Sequence, residues 1–117
     1  MSDLDDALDR IRSHDGVEHV LVLGRDGLLI QHAGYGGLDP ETVSAMVPGV
    51  AQAASSLGAA AGGGAASTVV ARLSNGVAVV QALSDDVLLA VLLREGVGFA
   101  PLLRELADGS GALAKLV

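Results

Sequence analysis

The side chains able to do chemistry are few and scattered. His14, His19 and His32 are the only side chains whose ordinary pKa lies near neutrality, and the chain has no cysteine. His19 and His32 fall on two consecutive strand-like stretches, so pairing of those stretches could bring the rings face to face. A metal would need further ligands, and thiolate is excluded by composition. Solvated or hydrogen-bonded histidines are the favoured reading, and no metal site is assigned. The serines lie in caps, turns and small-residue runs, with no Gly-x-Ser-x-Gly elbow to expose a nucleophile. Asp85 and Asp86 are neighbours in one turn, a placement that does not converge two carboxylates on one substrate. Gly34-Tyr35-Gly36-Gly37 offers backbone N–H groups to an anion, but no Lys-Ser or Lys-Thr follows, so a plain flexible connection is preferred to a phosphate loop. Arg25 is the one arginine expected on an exposed hairpin tip, where it could reach a partner; its default role is solubility. No catalytic residue and no cofactor is assigned, and the chain is expected to bind rather than catalyse.

The charge balance narrows what it binds. Fourteen acids against seven bases give a net charge of −7, and no basic patch is visible, which argues against nucleic acid and anionic membrane as partners. The amino terminus, Met1-Ser2-Asp3-Leu4-Asp5-Asp6, is acidic where a secretion signal is basic. With no cysteine, a reducing, cytoplasmic location is expected. The 117 residues fit one domain, 1–117, with a core of Val, Leu and Ala, because aromatics are only 2% of the chain.

The elements can be placed in order. Ser2 caps a first helix whose Leu4, Leu8 and Ile11 share one side, with acids in its first turn and Arg10 and Arg12 in its last. Residues 17–23 and 28–33 form strands around the turn Gly24-Arg25-Asp26-Gly27. Asp39 and Pro40 start a long helix, and Gly62-Gly63-Gly64 stops it. Strands follow at 67–73, 77–83 and 87–93, the first two joined by Ser74-Asn75-Gly76. The last is apolar on both faces and belongs at the middle of a covered sheet. A final helix opens near Pro101 and is expected to break at Asp108-Gly109-Ser110-Gly111. The order α-ββ-α-βββ-α implies an α+β fold: one antiparallel sheet with helices packed on it.

From Thr42 to Ala71 there is not one charged side chain. The stretch could span a bilayer by length, but its Ala, Gly and Ser content, Pro48 and Gln52 argue against membrane insertion. On the helix Pro40–Ala61, the residues Val43, Met46 or Val47, Val50, Ala54 and Leu57 are expected to form the core stripe. Ala45, Gly49, Ala53, Ser56 and Ala60 make a second, small-residue stripe. Pro48 is expected to kink the helix. A water-facing stripe normally carries Lys, Glu or Arg, so this one is either a protein contact or a face buried in a groove of its own sheet. The contact is preferred.

Four segments together resemble the Roadblock/dynein-light-chain family. They are the opening hairpin around Gly16–Leu28, the small-residue helix ending at Leu57-Gly58 and Gly62-Gly63-Gly64, the hairpin Leu73-Ser74-Asn75-Gly76-Val77, and the apolar strand Leu88-Leu89-Ala90-Val91-Leu92. The resemblance runs from about Asp3 to about Leu106. It implies a five-stranded antiparallel sheet with helices on both faces. It also implies a homodimer in which the central helix and the following strand meet their copies, which adds Val69 and Ala71 to Ala45, Gly49, Ala53, Ser56 and Ala60 as interface residues. The bacterial branch of the family implies a cytoplasmic regulator that binds a Ras-like small GTPase and stimulates GTP hydrolysis without supplying catalytic residues. The alternative within the family is a dimeric scaffold or signalling adaptor with no effect on turnover. The chain departs from the family in Pro48 and in its interrupted last helix.

Overall fold

A computed structural model describes residues 2–117. The elements are α1 (Asp3–Arg12), β1 (Val17–Gly24), β2 (Leu29–Gly34), α2 (Pro40–Ala61), β3 (Thr68–Leu73), β4 (Gly76–Ala82), β5 (Val87–Arg94) and α3 (Ala100–Ala114). All strand pairs are antiparallel, in the order β2-β1-β5-β4-β3, so β5 is the central strand and β2 and β3 are the two edges. β5 is apolar on both faces because both faces are covered.

Alternation along the strands splits the core into two layers. Val20, Val22, Val77, Val79, Leu89, Val91 and Leu93 point to one side, where Leu8 and Ile11 of α1 and Leu102, Leu106 and Leu113 of α3 pack on them. Leu21, Leu23, Val80, Leu88 and Ala90 point to the other, where Val47 and Ala51 of α2 meet them. Helices therefore cover both faces of one five-stranded antiparallel sheet.

The termini of the helices follow local chemistry. The Ser2 hydroxyl oxygen accepts from the Asp5 N–H at 3.1 Å, which caps α1. Asp39 caps α2: its carboxylate accepts from the Glu41 N–H at 3.2 Å and from the Thr42 hydroxyl at 2.7 Å. The Thr42 hydrogen bond, with the backbone N–H groups of the first turn, holds the Asp39 carboxyl below the usual range. Gly62, at φ 76°, ends the helix in the left-handed conformation.

α3 differs from the expectation. It runs unbroken through Gly109-Ser110-Gly111 to Ala114. Each interior glycine costs about 1 kcal/mol against alanine. Leu102 and Leu106 before the interruption and Leu113 after it are all buried on the sheet, and burying a leucine is worth about 1.5–3 kcal/mol. Docking on both sides of the weak segment holds it helical. Among the described residues no helix is long and apolar enough to cross a membrane.

Candidate functional site

The orientation of α2 decides what the chain offers to a partner. Its buried residues are Ser44, Val47 and Ala51. Ser44 is fully buried, and its hydroxyl donates to the Gly27 carbonyl at 2.9 Å. Gly27, at φ 89°, brings the β1–β2 turn so close that a Cβ there would lie 3.3 Å from the Ala45 Cα. This contact sets the helix rotation, and it corrects the core stripe read from sequence. Val43 and Val47 do pack inward, but Met46 is 69% exposed, Leu57 70% and Val50 42%. The helix has no charged face to break the tie between apolar stripes, and the stripe that meets the sheet is the one carrying Ser44, bonded to the Gly27 carbonyl.

The outer face of α2 is therefore apolar and small at once. Ala45, Gly49, Ala53, Ser56 and Ala60 are all exposed there, flanked by Met46, Val50 and Leu57. A Cβ built on Gly49 would meet nothing within 4 Å, so the centre of the face is open. A contiguous exposed apolar face makes this a candidate interaction surface. Met46, Val50 and Leu57 thus belong to the surface and not to the core that their spacing predicts; burial of Ser44, a polar residue, is the signal that spacing misses.

β3 continues the surface to the sheet edge. Val69 and Ala71 are half-buried and pair with Val80 and Ala78, on the α2 side of the sheet. The Ala82 N–H donates to the Ser67 carbonyl at 2.8 Å, and Ser67 lies opposite Ala82 in this ladder. Hydrogen-bonded and non-hydrogen-bonded pairs alternate in an antiparallel ladder. Val69, Ala71 and Leu73 accordingly aim their backbone groups at β4, and Thr68, Val70 and Arg72 aim theirs outward. Val70 and Leu73 also keep exposed apolar side chains, 40% and 58%.

The remaining candidate groups are occupied. His19 and His32 do meet: His19 Nδ1 lies 3.1 Å from His32 Nε2, with the ring planes 15° apart. The geometry is one ring donating N–H to the other. A Cβ on Gly34, at φ 147°, would collide with the His19 ring. Partial burial, then the charges on His19 and Arg12, hold His32 below the ordinary histidine value. Among the described residues no third metal-ligating side chain joins the pair. His14 pairs with Glu105 at 2.6 Å. Arg25 is not free at the hairpin tip: its Nε and Nη2 both donate to the Ser84 carbonyl at 3.2 Å, and its backbone N–H donates to the Asp86 carbonyl. It clasps the β1–β2 turn to the β4–β5 turn, a role its position in sequence did not reveal.

Comparison with known proteins fits this architecture. No curated protein matches the chain. A Roadblock/LC7 domain from Streptomyces avermitilis superposes with a TM-score of 0.81 at 25% identity, over 97% of this chain and 93% of that one. The gliding protein MglB from Thermus thermophilus superposes with a TM-score of 0.86 at 19% identity, over 97% and 87%. MglB from Myxococcus xanthus gives a TM-score of 0.84 at 17% identity, over 96% and 92%. At the last two identities the likeness is one of fold. The sequence model of the Roadblock/LC7 domain matches residues 3–93. With that span covered, and the strand and helix order of the solved relatives reproduced, the chain belongs to the Roadblock/LC7 family.

Proposed function

We propose that the chain is a homodimeric regulator or adaptor that binds a Ras-like small GTPase through paired α2 helices. The observation that carries the reading is the outer face of α2. A chain of net charge −7 keeps every ionisable group off Thr42–Ala71 and exposes Met46, Val50 and Leu57 around Gly49 and Ala53. Two copies related by a two-fold axis bring those small residues together and place the outward backbone of β3 against its twin. The interface then comprises Ala45, Gly49, Ala53, Ser56 and Ala60 on α2 and Val69 and Ala71 on β3, with Met46, Val50, Leu57 and Val70 added by the observed exposure. The client is cytoplasmic on this reading, as expected of a cysteine-free regulator of a nucleotide switch.

Any stimulation of GTP hydrolysis comes from positioning. The α2 face carries no guanidinium, and Arg25 is held by the Ser84 carbonyl. Ordering the switch loops of a GTPase lets its own groups orient the attacking water. Single-turnover hydrolysis by the cognate GTPase, with and without this protein, tests this. Acceleration supports the regulator. Tight binding with unchanged turnover identifies a scaffold, and absence of binding refutes the GTPase assignment. Replacing Gly49 with Arg adds a charge at the centre of the face without an intrachain clash. The variant is expected to be folded and to lose association through α2 and β3, read as a fall in mass against wild type in light scattering; an unchanged mass places the interface elsewhere.

A further inference from the structure

The sheet has a second bare edge. β2 pairs with β1 on one side only, and among the described residues no other element bonds to the backbone on its outer side. Exposed sheet edges are normally guarded by charge, proline or bulges. From Gly27 to Leu38 there is no charged residue and no proline, and the one irregularity lies opposite Val22 and Leu23, at the start of the strand. Ile30 is 44% exposed, and Leu28 and Tyr35 at the two ends are 70% and 83% exposed. The chain thus has two long charge-free windows: one supplies all of β2, and the other supplies β3 as far as Ala71, with Arg72 just beyond it.

Charge distribution points to a second copy as the occupant. Antiparallel pairing of an edge with its own copy sets like residues near like, which a chain of net charge −7 tolerates only where the edge is neutral. α1 runs alongside β2 in the same direction, since Gln31 donates to Asp5 at one end and Arg12 lies 4.4 Å over the Tyr35 ring at the other. A copy related by a two-fold axis has its α1 reversed. Asp5 of each chain then lies level with Arg12 of the other, two complementary pairs that flank Asp9, which lines the same groove.

We propose that β2 is a self-association edge, pairing antiparallel with β2 of a second copy, separate from the α2 and β3 contact of the proposed dimer. With both edges in use, the contacts lie on opposite sides of the subunit, so the assembly extends as an open sheet instead of closing. Net charge accumulates with each added chain, and screening by salt favours growth. The test is light scattering of the full chain across a concentration series at low and high salt. It compares wild type, Ile30→Lys, Val70→Pro and the double variant. Ile30→Lys puts an ammonium on the β2 edge at a position exposed enough for the long stem to reach water. Wild type is expected to exceed two chains, increasingly so with salt. Ile30→Lys stops at two through the β3 side, Val70→Pro stops at two through the β2 side, and the double variant is a single chain. Leu28→Lys reads the same edge if circular dichroism shows Ile30→Lys to be unfolded. A wild-type mass that never exceeds two chains, or one that the β2 variants leave unchanged, overturns the proposal. A mass that Val70→Pro alone leaves unchanged counts against the β3 dimer instead.

Discussion

Replacing Val70 with proline isolates the edge hydrogen bonds of the proposed dimer from everything else in the subunit. Within one chain the substitution is nearly silent. Val70 faces Val79 across a non-hydrogen-bonded position, because Ser67, opposite Ala82, sets the phase of the ladder. Its N–H points outward, and proline is tolerated in edge strands where the N–H faces solvent. In a two-fold pair the loss is doubled. In any register that keeps Val70 within the overlap of the two β3 strands, its outward N–H in each chain donates to the other, so the variant removes two bonds and strands two carbonyls. Each buried acceptor left unsatisfied costs about 1–3 kcal/mol. The dimer should weaken by about 2–6 kcal/mol, or roughly one and a half to four powers of ten in dissociation constant at about 1.4 kcal/mol per tenfold. Sedimentation equilibrium at several concentrations measures the constant, with Ile30→Lys present in both proteins so that only the β3 side associates. Val69→Pro is the contrasting control. The Val69 backbone faces β4, so proline there should lower the denaturation midpoint of the subunit itself. A Val70→Pro protein that dimerises with unchanged affinity refutes pairing through β3.

Three further substitutions test the interior. Ser44→Ala leaves the Gly27 carbonyl without its buried donor and should lower stability by about 1–3 kcal/mol in urea titration, with little change in the slope. His32 sits below its ordinary pKa, so the folded chain binds fewer protons than the unfolded one as pH falls through the free-histidine value of about 6.5. That contribution to stability is present above about pH 6.5 and is lost as pH drops toward the folded value. The urea midpoint should fall between about pH 7.5 and about pH 5.5, by less in His32→Gln. Gly34→Ala forces a side chain into the left-handed region and against the His19 ring, a strain of about 1–3 kcal/mol that should separate the histidines. Loss of the contact between the His19 and His32 imidazole rings, read by NMR, would record that separation.

The limits of the sequence lay where local signals tied. Asp39-Pro40 and Gly62 each left one reading, and α2 runs between them as expected. Asn75-Gly76 fixed a hairpin, and the two-sided apolar pattern of Val87–Leu93 put that strand in the centre, where it is found. The face of α2 was different. Its stripes of Val, Met and Leu and of Ala, Gly and Ser are both uncharged, so periodicity alone could not say which one the sheet takes. The face that meets the sheet carries Ser44, bonded to a turn seventeen residues earlier in the chain, and such a bond is invisible without the fold. The glycines of α3 failed for a related reason. Their local cost was read correctly, but the leucines on either side dock as one unit, and the tertiary gain exceeds the penalty.

The same tie explains why the candidate surface is larger than its sequence signature. If α2 had buried Met46, Val50 and Leu57, only a smooth strip of alanine and glycine would face outward, shaped for close approach but with little area to drive association. By burying Ser44, Val47 and Ala51 instead, the helix sets small side chains against the sheet and leaves its largest outside. That choice is unfavourable for an isolated subunit, because each exposed large aliphatic side chain forgoes about 1.5–3 kcal/mol of burial. A second surface covering the face would recover that loss. On the proposed reading such a helix, joined to an edge strand whose backbone is already turned outward, is half of the dimer interface. On that reading, the absence of charge from Thr42 to Ala71 lets the other half be another copy of the same chain.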